Sequence, residues 1–414
     1  MDRTARLLLV AATAVLSFGG PARAAADSGY GAASPATPAA AQDGRPPQAS
    51  TSRGGSRCLG PSPVTVRAVP WAQRLLAPRR VWGIAAGRGI TVAVLDSGVS
   101  AAAPALSGAV LPGSDLVGSG PADTDCGGHG TFVAGLIAAR PVPGVGFAGV
   151  APAARILPVR VTPADGKPVT AALIAAGIRT AVDAGAEVVD VSVGTAEDSP
   201  ELRAAVRYAE DADVVLVAPV DDAVTGSTAP RNLPAAYPTV LAVTGIGPDG
   251  PSFGDAPPGP PLVDLAGPGT DVQSIGPSGP GHYLAQGPSV AASFVAGTAA
   301  LVRGYRPTLT ADQVRRRLTT TADRAGAGRP DRQYGYGVVD PYSAVTAILP
   351  DEAGPRPGGR APAGLILPRP PSPDTGPTTA ALEVLGAVAG LVVLAAIASL
   401  VAVRGRSRRW QPAS

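Results

Sequence analysis

The run Ile90-Thr91-Val92-Ala93-Val94-Leu95, ending in Asp96-Ser97-Gly98, decides how this chain folds. It is short, almost continuously apolar and bounded by Gly89 and Gly98. A strand with no apolar–polar alternation is buried on both faces, and such strands belong to parallel sheets covered by helices. Ile156–Val161, Val188–Val193, Val214–Val217 and Val240–Thr244 read the same way. Between them Thr170–Ala184 predicts a helix that Thr170 can cap and Gly185 can end. Glu201–Asp211 predicts another. Strand–helix alternation from about residue 81 to 346 therefore implies an α/β fold, a mostly parallel central sheet with helices on both faces. Sites in such sheets form at the carboxyl ends of strands, and Asp96 stands at one.

Two further stretches complete a chemical constellation. Gly127-Gly128-His129-Gly130-Thr131 opens an apolar helix, Thr131–Ala139, and Gly287-Pro288-Ser289 opens a small-residue helix, Val290–Arg303. A serine hydroxyl is a poor nucleophile until a base takes its proton, and a buried carboxylate can fix the tautomer of that base. Asp96 suits the orienting role, His129 the base and Ser289 the nucleophile. The backbone N–H of Ser289 would lie at a helix N-terminus, where negative charge is stabilised. The chain has 2 histidines, so the choice of base is nearly forced. The other, His282, is expected in a loop near the site. The order Asp, His, Ser differs from that of chymotrypsin and of the α/β-hydrolases and is that of subtilisin.

The formal charge of +3 is too small to imply a nucleic-acid partner, and aromatic residues at 4% are too sparse for a carbohydrate or lipid groove. Asp123 and Asp125 form no metal-ligand spacing, so no metal and no cofactor is expected. Residues 1–26 read as a secretory signal: Arg3 and Arg6 precede Leu7–Phe18, and Ala22-Arg23-Ala24 is a small-x-small cleavage pattern. Residues 27–57 read as a poorly ordered arm, 58–348 as the folded domain and 349–383 as a Pro-rich linker. Val384–Val403 carries no charge and is about 30 Å long as a helix, enough to span a bilayer. Arg404, Arg406, Arg408 and Arg409 follow in the tail 404–414, which the positive-inside rule makes cytoplasmic. The folded domain is then extracytoplasmic and tethered to the cell membrane. In an exported protein the 2 cysteines, Cys58 and Cys126, allow one disulfide, which would pin the N-terminal arm beside His129; two free thiols are the alternative.

With these motifs in view, the chain resembles the subtilisin-like serine proteases, and among them the mycosins, the membrane-anchored proteases of actinobacterial type VII secretion. Val69-Pro70-Trp71-Ala72-Gln73-Arg74-Leu75, Arg80-Val81-Trp82, Gly-Gly-His-Gly-Thr at 127–131, Val263-Asp264-Leu265-Ala266-Gly267-Pro268-Gly269 and Tyr334-Gly335-Tyr336-Gly337-Val338-Val339-Asp340 are similar to family segments. The resemblance implies a subtilisin-like three-layer fold, catalytic roles for Asp96, His129 and Ser289, a protein or peptide substrate, and a type VII secretion membrane complex as partner. It also implies that Ser192-Val193-Gly194 forms a wall of the substrate groove, pairing with an extended peptide.

Three departures fall near one reacting carbonyl. Where the family has an Asn that donates to the oxyanion, the matching stretch here is Ala218-Pro219-Val220-Asp221. An ionised Asp accepts hydrogen bonds and cannot donate one. Losing such a donor costs ~10²–10³ in kcat. Pro288 removes an N–H before the nucleophile, and Ser293 replaces the family's helix proline. Two expectations follow: a serine endopeptidase of one or few protein substrates, weakened by Asp221, or an impaired protease fold that stabilises a secretion complex.

Overall fold

The computed structural model describes residues 44–49, 58–163, 167–220, 232–251, 263–323, 330, 333–352 and 376–407. It divides into two units, the residues up to Glu352 and those from Ala353 onward. In the first unit a short helix α1 (Trp71–Leu76) precedes strand β1 (Thr91–Asp96). Then come β2 (Ser114–Asp115), helix α2 (His129–Ala138), β3 (Arg155–Arg160), α3 (Ala171–Asp183), β4 (Val188–Val191) and α4 (Pro200–Asp211). The rest is β5 (Val215–Pro219), β6 (Leu241–Gly247), β7 (Gly250–Pro251), β8 (Leu265–Pro268), β9 (Val272–Ile275), β10 (His282–Ala285), α5 (Pro288–Tyr305), α6 (Ala311–Thr320) and α7 (Pro341–Thr346).

The main sheet runs β2-β3-β1-β4-β5-β6-β7, and β8 also pairs with β6. Its pairings are parallel except β6 with β7. β1 lies between β3 and β4, with Asp96 beside Arg160 and Val92 beside Val188. The chain goes to one side of β1 for β3 and to the other for β4. The crevice at a strand's carboxyl end is widest at such a reversal.

Every residue of β1 is buried, as its uninterrupted apolar pattern requires. Successive side chains alternate between two cores. Val92 and Val94 join α2 and α5 on one face. Ala93 and Leu95 join α3 and α4 on the other. Thr170 caps α3 by accepting from the Leu173 N–H, and Ser199 caps α4 by accepting from the Leu202 N–H. Helix α5 is buried from Pro288 to Arg303, so its face opposite the sheet is covered as well. Strand β4 ends at Val191, two residues earlier than its apolar run suggests. Ser192 still donates to Leu95 O at 3.2 Å, but the next segment swings away to pair Thr195 antiparallel with Leu233.

His282 is not in a loop. It lies in β10, 2% exposed, its ring edge-on to Phe147 with centroids 5.4 Å apart. The reason is the N-terminal segment, which adds itself to the β9–β10 hairpin. Ala49 donates to Leu284 O, His282 donates to Val64 O at 2.7 Å, and the Val66 N–H donates to the His282 Nδ1 at 3.3 Å. Burial pushes the His282 imidazole below its usual pKa of 6.5, and a hydrogen bond with the Val64 backbone opposes that shift.

The second unit is helix α8 (Gly376–Ser407), in which Leu385–Gly405 forms a 21-residue stretch of mean hydropathy 2.6. By length and composition it can cross a bilayer. Residues 1–26, most of 27–57, 353–375 and 408–414 lie outside the described residues.

The unfolded chain binds a proton at His282 more readily than the folded one. Folding stability should therefore fall as pH drops below about 6.5. His282→Gln, which keeps a polar group without that proton, should flatten the fall in urea-unfolding curves between pH 7 and 5.

Candidate active site

Asp96 closes β1, His129 opens α2 and Ser289 is the second residue of α5, so three separate elements end at one crevice. The His129 Nδ1 lies 2.7 Å from Asp96 Oδ2, and its Nε2 lies 3.3 Å from Ser289 Oγ. Asp96 is 2% exposed and Ser289 1%. A carboxylate this deep needs donors. Besides His129 it receives the Ser97 N–H on Oδ1 at 2.6 Å. The contact to Ser289 is at the long edge of hydrogen-bond reach, as is usual before a substrate tightens it.

Two glycines permit the approach. A Cβ on Gly98, whose φ is +98°, would stand 2.3 Å from Thr124 O. A Cβ on Gly130 would stand 2.1 Å from Gly98 O. Any larger residue at either position would push the Asp96 turn and the His129 loop apart.

Arg160, at the end of β3, ties the same two segments. Its Nε donates to Ser97 O at 2.9 Å, its guanidinium reaches Thr124, and it pairs with Asp115. The Cys58–Cys126 disulfide is formed, and the Leu59 N–H donates to Cys126 O at 2.8 Å. The N-terminal segment is thereby bound to the loop that carries His129.

Asp125 is the residue the sequence reading passed over. It is 6% exposed and accepts four hydrogen bonds, from Gly128 N, Thr131 N, Thr131 Oγ1 and Ser97 Oγ. Burial pushes its carboxyl pKa up, the hydrogen bonds from Thr131 and Gly128 oppose the rise, and the nearby Asp96 charge adds to it. The signal available in the sequence was its place four residues before His129, on the approach to a helix that lacks an N-cap side chain.

The N-terminus of α5 holds Ser289 with its N–H in the first turn, where no carbonyl of the helix can pair with it. The helix continues through Ser293, whose Oγ donates to Val290 O at 2.8 Å and Ser289 O at 3.2 Å. Ser192 and Val193 are buried at the carboxyl end of β4, and Gly194 is half-buried. A Cβ on Gly194 would stand 2.0 Å from Asn232 Oδ1. Asp221 lies outside the described residues. Among those described, no group of three or more His, Cys, Asp or Glu side chains could hold a metal ion.

The model of the subtilase family matches residues 87–337, which contain all three crevice residues. The chain belongs to the subtilase family. As a subtilase it is a serine endopeptidase. Mycosin-3 of Mycobacterium tuberculosis is 35% identical over 417 residues, covering 86% of this chain and 88% of that protein. Thermitase of Thermoactinomyces vulgaris is 36% identical over 274 residues, covering 66% of this chain and 94% of that enzyme. The likeness to the mycosin thus extends well beyond the part shared with thermitase. Among solved structures, MycP1 with its N-terminal propeptide removed matches with a TM-score of 0.60 and 33% identity, covering 69% of this chain and 99% of that one. The MycP3 protease from the type VII (ESX-3) secretion system matches at 0.60 and 34%, covering 71% and 93%. This subtilase is therefore of the mycosin type.

The disulfide closes a sequence separation of 68 residues, which in the chain-entropy account stabilises the fold by about 4 kcal/mol. The Cys58→Ser, Cys126→Ser double variant should unfold at markedly lower denaturant, read by intrinsic fluorescence. The parent, denatured without reductant, should show no free thiol to a thiol reagent.

Proposed function

We propose that Asp96, His129 and Ser289 are the catalytic triad of an extracytoplasmic endopeptidase tethered by α8 and associated with type VII secretion. The single observation that carries the reading is the continuous contact chain from Asp96 Oδ2 through His129 to Ser289 Oγ. Its steps follow from the geometry. The His129 Nδ1–H donates to Asp96, which leaves Nε2 unprotonated and facing Ser289. Nε2 takes the Oγ proton as Oγ attacks the scissile carbonyl. The imidazolium so formed stands against Asp96 and later protonates the leaving amine. The Ser289 N–H, free in the first turn of α5, faces the developing oxyanion with the helix dipole behind it. Ser192-Val193-Gly194, which leaves β4 beside the end of β1, is assigned to the wall of the substrate groove, where its backbone groups would pair with a peptide strand.

Association with a secretion complex rests on likeness. The MycP3 protease that this chain resembles over 71% of its length is described as part of a type VII secretion system. Anchoring rests on the apolar stretch Leu385–Gly405, with Arg404 and Arg406 at its end. The processing of residues 1–26 as an export signal completes that topology.

Asp221 favours the second reading, a protease fold kept mainly to stabilise the complex. Its charge at the oxyanion position would oppose the tetrahedral intermediate, so activity at neutral pH should be low. Asp221→Asn should raise kcat ~10²-fold by restoring a neutral donor. Ser289→Ala in that background should lower it again by at least ~10⁴-fold. Both are read as cleavage of a mixed peptide library by mass spectrometry. If Asp221→Asn cleaves no faster than Ser289→Ala, the scaffold reading is the better one.

A further inference from the structure

We propose that Asp125 is a positioning residue of the active site: its ionised carboxylate locks the His129 loop onto the Asp96 turn and places a second negative charge behind the imidazolium. The proposal deepens the triad reading and rests on it.

The hydrogen-bond pattern assigns the charge. Oδ1 accepts from Gly128 N at 2.8 Å and Ser97 Oγ at 3.0 Å; Oδ2 accepts from Thr131 N at 2.9 Å and Thr131 Oγ1 at 2.7 Å. The hydroxyl protons are committed. Thr131 Oγ1 accepts from Ser100 N at 3.0 Å, and Ser97 Oγ accepts from Gly130 N at 3.1 Å, so each hydroxyl has its own proton to give to Asp125. Four donors then converge on two oxygens, a supply that an ionised carboxylate can accept in full.

The same pattern assigns the role. Gly128, Gly130 and Thr131 flank His129 on both sides in sequence, and Asp125 holds the first and third directly and the second through Ser97. Ser97 N–H in turn donates to Asp96 Oδ1 at 2.6 Å. One carboxylate therefore sets the register between the strand end that carries Asp96 and the helix start that carries His129. Helix α2 has no capping side chain at its N-cap Gly128, so this clasp stands in for one. Of the other charged groups packed here, Arg160 is engaged with Asp115, Ser97 O and Thr124. Asp123 lies in the same loop, its carbonyl accepting from Ala101 N. The groups left to respond to the Asp125 charge are Asp96 and His129.

A negative charge nearby favours the protonated imidazole. Replacing Asp125 by Asn should thus lower the titration midpoint of His129 by about half a pH unit or more. A cap that was only structural would leave the midpoint where it was. The readout need not depend on hydrolysis. With 2 histidines in the chain, ring-nitrogen NMR of the full-length, 15N-histidine-labelled protein in detergent gives two titrations, and His282→Gln assigns them. The measurement is made in Ser289→Ala to prevent self-cleavage. Peptide turnover is then compared in the Ser289 protein, where Asp125→Asn should lower kcat about tenfold with KM nearly unchanged.

An Asp125→Asn midpoint equal to that of the parent overturns the proposal, whatever the peptidase activity. A lowered midpoint in a protein that cleaves no peptide would support the proposal and count against the triad reading alone. If Asp125→Asn does not fold, Ser97→Ala cuts the bridge while leaving the charge. Faster water exchange of the His129 Nδ1 proton then supports the proposal, and exchange unchanged from the parent overturns it.

Discussion

A carboxylate at the end of a buried strand has to be matched by donors, and much of the crevice is built around that requirement. Asp96 is 2% exposed and receives its hydrogen bonds from Ser97 N and His129 Nδ1. An unmatched charge there would cost several kcal/mol. The strand end and the helix start are therefore drawn together, which only Gly98 and Gly130 allow. Arg160 binds the outer side of the junction, Asp125 the inner side, and the disulfide fixes the loop between them to the N-terminal segment. Local sequence, sheet topology and cross-links all converge on one contact.

The fold was legible because burial on both faces leaves a signature in composition. The run Ile90–Leu95 has no alternation, and the strand it became feeds two cores. The helix cap Thr170 is visible as a polar residue ahead of an amphipathic stretch. The three crevice residues were legible for a different reason: each stands at the edge of an apolar run beside small residues, Asp96 ending one and His129 and Ser289 each opening one. Less visible were features made by contacts distant in sequence. His282 read as a loop residue because nothing local shows that Val64 and Val66 pair with its strand. Asp125 read as one of several scattered acids because its donors come from both sides of His129 and from Ser97.

The departures near the nucleophile do not weigh equally. Pro288 occupies the first helical position, where a missing N–H is harmless, and the N–H of Ser289 follows it unused by the helix. Ser293 returns its hydroxyl to the carbonyls of the preceding turn and lets α5 run unbroken to Tyr305. These two are compatible with an intact nucleophile. The weight then rests on the oxyanion role proposed for Asp221, which separates the proposed weak activity from the proposed scaffold role.

The central claim is that His129 activates Ser289. Its most direct test is covalent: treat the full-length protein with a fluorophosphonate, digest it and map the modified residue by mass spectrometry. The account predicts one adduct, on Ser289, absent from His129→Ala and formed more slowly as the pH is lowered and the His129 imidazole takes up a proton. Labelling spread over surface hydroxyls, or labelling of Ser289 that persists unchanged in His129→Ala, would contradict it.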